Sequence, residues 1–291
     1  MVQLRPDFNR TRQKRHDYRS AQRITSHYML ERRLADRLKL APRRERTSVY
    51  SEVYRELFDS LPDHPQKSAK SDGRTESILQ QLALLKPHLS ATSRFLEVGC
   101  GDAALTFAVA TRAQHAYGLD VTDALIDRTT PPNFEFLITT GVDIPLPDRS
   151  VDVSYSNQLI EHLHPNDAAL QLREVWRVLS YGGVYRCVTP SRFTGPHDIS
   201  RYFDYEATGL HLKEYDYKDL RQLFRDAGFR STLFYVTGGH RQVRIPYFVG
   251  RAAEIALSML PKSTSAFVAS LPFVNQLMGL TIVGVKAHDA S

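Results

Sequence analysis

The sequence predicts an α/β chain, a doubly wound and mostly parallel sheet behind a helical N-terminal extension. Three observations carry this. From Arg94 onward, short apolar or β-branched runs alternate with stretches of helical spacing, the order that builds βαβ units with right-handed crossovers. The run Phe95–Ala103, FLEVGCGDA, is an apolar strand feeding a tight glycine turn, and the AALTFAVATRA that follows has helical spacing. The basic excess of the chain lies ahead of this region: residues 1–46 hold 14 Lys/Arg against 5 Asp/Glu, a net of +9, so the remainder nets −3 within a total of +6.

Taken in order, residues 1–24 are polar and basic and are expected to be poorly ordered. Leu30, Leu34 and Leu38 predict an amphipathic helix over Tyr28–Leu40. Val49, Val53, Leu57 and Leu61, interleaved with Tyr50, Tyr54 and Phe58, predict a second helix, ended by Pro62 and Pro65. Gln66–Arg74 reads as a polar linker, which divides a basic extension (1–72) from the main domain (73–291). A helix over Glu76–Leu85 leads into the sheet. Strands are expected at Arg94–Val98, Ala116–Leu119, Phe134–Ile138, Val151–Ser156, Val184–Val188 (after a Gly182–Gly183 turn) and Arg230–Tyr235. Helices are expected at about Ala103–Arg112, Asp167–Leu179 and Tyr217–Ala227, the last stopped by Gly228. Ser263–Val285 carries no charge, a length that would permit a membrane span, but Pro272, Asn275, Gln276 and several Ser/Thr residues favour a buried helix followed by a strand over Leu280–Lys286.

Gly99 and Gly101 can take backbone angles other residues resist and let a ligand approach the main chain, at a turn that opens a helix N-terminus. Asp120 ends the second strand, 19 residues after Gly101, where a carboxylate can accept hydrogen bonds from ribose hydroxyls. A dinucleotide-dependent dehydrogenase would want GxGxxG; here Asp102, Ala103 and Ala104 follow Gly101, and no Tyr-xxx-Lys occurs at Tyr181–Tyr185.

The strand, the acidic Glu97, the GxG turn, Asp120, the segment TTGVDIPLPDRSVD (139–152) and SNQLIEHLHPND (156–167) together resemble the class I S-adenosylmethionine-dependent methyltransferases. The whole pattern, with VYSEVYRELFDSLPDHPQ, SNQLIEHLHP and GPHDISRYFD, resembles a bacterial methyltransferase type associated with saccharide or secondary-metabolite gene sets. The resemblance implies a Rossmann-like sheet of seven strands with the last antiparallel, and S-adenosylmethionine as cofactor. It implies a donor site of Glu97, Gly99, Gly101, Asp120, Thr140, Gly141 and Asn157. At the adenine position the family's Asp is replaced by Thr140, whose hydroxyl can still accept, with Asp143 as the alternative after a small shift. Ala103 stands where the family has a third glycine.

Acceptor chemistry is expected in two loops at the strand carboxyl ends. One carries Glu161, His162 and His164, of which His162 is placed at the site and His164, before Pro165, outside it. The other is the 189–216 insertion, read as a substrate lid, in which His197 paired with Asp198 is the leading general base. Two histidines at i and i+2 with no third ligand evident give no metal site. The acceptor expected is a small molecule or a glycan, methylated at a hydroxyl oxygen. Alternatives are an RNA methyltransferase gripping phosphate with the basic arm, a non-catalytic scaffold with a degenerate donor site, and a peripheral contact with anionic lipid.

Cys100 and Cys187 are far apart and lack CxxC spacing, which points to a reducing compartment and away from structural zinc or a disulfide framework. The first residues contain no apolar h-region, so a cytoplasmic location is expected.

Overall fold

The computed structural model describes residues 3–63, 72–123, 125–126, 129–238 and 241–288, with backbone alone at 72–74. Most of the expected linker lies outside the described residues. Among the described residues the helices that precede the sheet are α1 (Phe8–Lys14), α2 (Ala21–Leu40), α3 (Arg43–Ser60) and α4 (Asp72–Leu85). The expectation that residues 1–24 are poorly ordered is corrected. Phe8 and Ile24 are buried in a small apolar cluster with Tyr28, Ile199 and Tyr202. The Arg5 amide donates to the Tyr202 carbonyl at 2.9 Å, and the Tyr202 hydroxyl donates to Asp17 at 3.0 Å. Two apolar residues sixteen apart show no helical period, so only the tertiary contact reveals their role. Ser20 caps α2 by accepting from the Arg23 amide at 3.1 Å, which starts that helix a full two turns before Tyr28.

The α2–α3 hairpin packs through Leu34, Leu38, Val53 and Leu57 onto Leu163, Ala168 and Leu210 of the sheet domain. At the centre of that seam the Arg46 guanidinium donates to both oxygens of buried Asp167, at 2.6 and 2.8 Å. The Tyr50 hydroxyl donates to Asp167 at 3.0 Å and accepts from the His164 amide at 2.8 Å.

The parallel strands are β1 (Arg94–Val98), β2 (His115–Asp120), β3 (Phe134–Ile138), β4 (Val151–Asn157) and β5 (Leu179–Thr189); β6 (Ser231–Gly238), β7 (Arg241–Ile245) and β8 (Leu280–Val285) complete the sheet. Strand order is β3-β2-β1-β4-β5-β8-β6-β7, eight strands where seven were expected. β8 lies antiparallel between β5 and β6, as expected of the last strand. The extra strand is β7, which forms a hairpin with β6 in a register that pairs Phe234 with Ile245. It is an edge strand whose exposed Arg241 and Arg244 break any apolar run, and charge on an edge also blocks pairing with other chains. β5 begins earlier than expected: its pairing shifts from Val151–Leu179 to Val153–Val184, and Gly182, at φ +77°, belongs to the resulting bulge rather than to a turn before the strand.

Helices α5 (Ala104–Ala110), α6 (Pro165–Val178) and α7 (Tyr217–Asp226) flank the sheet. Asp216 caps α7 by accepting from the Asp219 amide at 2.8 Å, and Gly228, at φ +112°, ends it. Between β7 and β8 come α8 (Tyr247–Ser258), α9 (Lys262–Ala269) and α10 (Pro272–Met278). The charge-free segment thus gives a buried strand, as expected, but its helices are only half buried, with Phe267 and Phe273 61 % and 77 % exposed. No helix among the described residues is long and apolar enough to cross a membrane.

The Arg46–Asp167 pair gives a direct test of how the helical hairpin is held. Asp167→Ala leaves a buried guanidinium unpaired and is expected to cost about 3 kcal/mol in urea unfolding. Replacing Arg46 and Asp167 together with leucine should recover most of that loss, because no unpaired charge remains.

Candidate active site

The strand order reverses between β1 and β4, and in doubly wound sheets ligands enter the crevice at the carboxyl ends of such a pair. A cavity of about 590 Å³ lies there. Its floor is the turn after β1. Gly99 and Gly101 have φ of +73° and +56°, and Ala103, at +57°, takes the same left-handed form before α5. The two glycines do different work. A Cβ on Gly99 would lie 2.7 Å from the Leu159 side chain, whereas a Cβ on Gly101 would meet no atom within 4 Å and would project into free space. Packing therefore demands glycine at 99, whereas at 101 the space is open.

Asp120 closes the turn from the side. Its carboxylate accepts from the Gly101 amide at 2.8 Å and from the Val121 amide at 2.7 Å. Burial raises the carboxyl to about 6, and the amide bonds oppose that rise. Glu97 lies beneath the turn and accepts from the Thr106 hydroxyl; burial pushes it up to about 8. Both acids and both glycines line the cavity, as does Asn157 at the end of β4.

The loop after β3 places its residues differently from expectation. Gly141, at φ +94°, lines the cavity together with Thr139, whereas Thr140 and Asp143 do not. Thr140 is exposed, and both its amide (2.9 Å) and its hydroxyl donate to Asp143. Local side-chain bonds of this kind consume the groups that a linear reading offers to the ligand. The Gly141 carbonyl accepts from Gln171 at 2.8 Å, and a Cβ on Gly141 would strike the Tyr50 ring at 2.9 Å.

Further lining comes from Tyr50, Tyr54 and Phe58 of α3, in the extension, and from Ile78 and Gln81 of α4. Their i, i+4, i+8 spacing was visible as a helical stripe, but nothing local showed that it faces a ligand site rather than a core. Tyr155 fixes α4 to the sheet by donating to Gln81 at 2.9 Å.

At the far end His162, on a 3-10 turn over Ile160–His162, lines the cavity. Its Nδ1 lies 3.1 Å from the Leu210 carbonyl, and its ring stands edge-on to Tyr54 and to His211, with centroids 6.2 and 4.7 Å away. Behind it Glu161 is fully buried, accepts from Thr189 at 2.8 Å, and is raised to about 7 by burial. Burial works against charge on His211. The hydrogen bond with Glu214 at 2.8 Å and the nearby Glu161 and Asp198 carboxylates outweigh it and raise the ring's pKa. The fold thus supplies the third group that local spacing did not, since donor atoms of Glu161, His162 and His211 lie within 4.8 Å of one another. Such a Glu/His/His grouping has a donor set that could hold a divalent cation. His164 serves as the cap of α6, its ring nitrogen accepting from the Asn166 amide at 3.2 Å.

His197 and Asp198 are not part of the cavity wall and are not paired with each other. The His197 Nε2 lies 2.9 Å from the Thr194 hydroxyl, and its amide donates to Glu214 at 2.7 Å. Burial lowers the ring to about 4. Asp198 accepts from the amides of Ser200 at 3.0 Å and Gly209 at 2.9 Å, which folds the insertion back on itself. The sequence pattern brought a base and an acid together on paper; the Thr194 hydroxyl holds the one and backbone amides the other.

Residues 96–187 match a family described as a methyltransferase domain. A protein of Mycolicibacterium smegmatis named "Probable S-adenosylmethionine-dependent methyltransferase" is 35 % identical over 158 residues, 54 % of this chain and 58 % of that protein. One of Mycobacterium tuberculosis bearing the same description is 33 % identical over 158 residues, 54 % of each chain. The chain thus spans little more than half the length of these curated relatives. Among solved structures, a methyltransferase of Haloferax volcanii in complex with the Trm112 methyltransferase activator superposes with a TM-score of 0.55 at 20 % identity, over 79 % of this chain and 98 % of that one. The [4+2]-cyclase SpnF superposes with a TM-score of 0.52 at 20 % identity, over 81 % and 97 %. At such identity the likeness is one of fold, and the second neighbour shows that the fold hosts more than one chemistry.

The two glycines of the turn should separate in mutagenesis. Gly101→Ala is expected to cost about 1 kcal/mol, the strain of a left-handed alanine. Gly99→Ala adds a clash with Leu159 and should cost about 2 kcal/mol more, read from urea midpoints.

Proposed function

We infer that this chain, whose core is a class I S-adenosylmethionine-dependent methyltransferase domain, transfers a methyl group to a hydroxyl of a small-molecule or glycan acceptor. The observation that carries the reading is one cavity whose lining includes both the Gly101–Asp120 corner and His162. The donor fits that cavity by its chemistry. Asp120 offers carboxylate lone pairs at a backbone approach left open by Gly101. Thr139 and Gly141 face the side where the adenine edge would lie, and Glu97 and Asn157 line the end suited to a polar amino-acid tail. S-adenosylmethionine, when bound, supplies an electrophilic methyl on a sulfonium.

The protein's part is then orientation and proton removal. Tyr50, Tyr54 and Phe58 wall off water on the helical side. Donation of the His162 Nδ1 proton to the Leu210 carbonyl selects the tautomer whose Nε2 is unprotonated, the form that takes a proton from an acceptor hydroxyl. Glu161 and His211 hold that ring from behind. His197 is read instead as a structural residue of the insertion.

S-adenosylhomocysteine at about 100 times its dissociation constant should stabilise the fold by roughly 2.7 kcal/mol, and NADH should not. A folded protein that shows no shift with S-adenosylhomocysteine would leave a non-catalytic scaffold as the better reading. The ionised Asp120 is the form that accepts from ribose hydroxyls, so affinity should fall as pH drops through about 6. Asp120→Asn should weaken binding and flatten that step in a titration at several pH values. With an acceptor found by screening for S-adenosylhomocysteine release, His162→Ala should lower turnover by about 10²–10⁴-fold while keeping the ligand-induced melting shift. His197→Gln should leave turnover within about 10-fold of the parent, and a loss as deep as that of His162→Ala would restore it as the base.

A further inference from the structure

The helices between β7 and β8 are built inside out. Along α8 the exposed positions are Phe248, Ala252, Ile255, Ala256 and Ser258, followed by Met259 just past its end, a face that contains no charge and only one polar residue. Phe248, Ile255 and Met259 are 70 %, 50 % and 81 % exposed. The charged residues of the same helix face the other way: Glu254 is buried, accepts from the Tyr217 amide at 2.6 Å and pairs with Arg251 at 2.6 Å. A water-facing helix in a globular protein shows the reverse pattern. Phe267, Leu271 and Phe273 on and between α9 and α10 extend the apolar surface, and eight of the fourteen large apolar residues exposed among the described residues lie between 243 and 273. A contiguous surface of this kind marks a contact with something apolar.

Its borders are cationic. Arg241 and Arg244 are exposed either side of exposed Val243 on the edge strand β7. On another border the turn Asp204–Glu206 joins the helices to the N-terminal arm. Glu206 pairs with Lys262 at the start of α9 at 2.6 Å. The Arg5 guanidinium lies 3.9 Å over the Tyr205 ring and donates to the Asp204 carbonyl at 3.1 Å. Arg5 leads into α1, where Arg10, Lys14 and Arg15 are exposed and make no ion pair with a described residue. The arm thus carries its positive charge beside the apolar helices.

We propose that α8–α10, together with the cations of α1 and β7, form a docking face for an anionic lipid bilayer, with Phe248, Ile255, Met259, Phe267 and Phe273 inserted among the headgroups. Apolar side chains rimmed by lysine and arginine are the composition that lies in a membrane interface. A second copy of the chain fits less well, because it would bring the same cations against one another. The placement also gives meaning to a groove of about 490 Å³ between the 192–219 region and α8–α9, lined by Phe193, Leu257, Leu260 and Ala266 and reaching His211 and Glu214. It holds this groove at the bilayer, and the ring of His211 stands against His162. Resting on the methyltransferase reading, the acceptor class that suits this arrangement is a hydroxyl on a lipid-anchored molecule.

The test is co-sedimentation of the full chain with vesicles of phosphatidylglycerol and phosphatidylcholine, against phosphatidylcholine alone. Binding is expected to the anionic vesicles and to weaken with added salt. Two double variants, Ile255→Glu with Met259→Glu and Arg10→Glu with Lys14→Glu, should each reduce partitioning at least about 10-fold with unchanged melting temperature. These positions are exposed, so folding is not at stake. No binding to anionic vesicles, or undiminished binding by the Ile255/Met259 variant, overturns the proposal. So does a parent protein that elutes as a dimer and that this variant makes monomeric, since a second copy would then cover the face. S-adenosylhomocysteine stabilisation is read on the same samples without lipid. A chain that takes this ligand but ignores vesicles loses the docking face alone, and the converse result removes the methyltransferase reading alone.

Discussion

A buried ion pair between Arg46 and Asp167 joins the helical extension to the sheet domain, and the candidate active site depends on it. The two charges are removed from water together, so the seam tolerates no relative sliding of the two parts without leaving one of them unpaired. Tyr50 shares the same carboxylate and at the same time packs against Gly141 in the wall of the cavity. Position of the helical wall and shape of the ligand loop are therefore coupled through one side chain. Without the hairpin of α2 and α3, the cavity would be an open trough on the sheet edge.

The core of the fold was legible because its strands are short, apolar and separated by helical stretches, and because burial on both faces leaves few alternatives for such runs. The glycine turn and Asp120 were legible for a related reason: their roles are backbone roles, and backbone geometry follows local sequence. What escaped were features settled by distant partners. α1 is ordered by contacts of Phe8 with a ring two hundred residues away, which no window on residues 1–24 contains. β7 carries arginines at the positions an edge exposes. Thr140 and His197 were attractive because their side chains suited the task, and in the fold the Thr140 hydroxyl bonds Asp143 while the His197 ring bonds Thr194.

His211 illustrates the same limit at the acceptor end. Nothing in the run TGLHLKEYD separates it from the other polar residues of the insertion. In the fold it stands between Glu161, Glu214 and Asp198 and against the ring of His162. Buried carboxylates outnumber buried cations in this region, so at least one of them keeps its proton or shares the charge of His211. That network stiffens the 3-10 turn that presents His162, and it does so from a loop that the chain reaches only after completing the fifth strand.

The Asp120 carboxylate deserves a last physical reading. Both of its oxygens already hold backbone amides, that of Gly101 across the turn and that of the next residue, Val121. The glycine corner is consequently tied in place before any ribose arrives. Much of the conformational entropy that a glycine-rich loop would lose on association has been surrendered during folding. A ligand entering the cavity meets a receptor that need only exchange water for hydroxyls, so affinity at this corner should reflect desolvation far more than loop ordering.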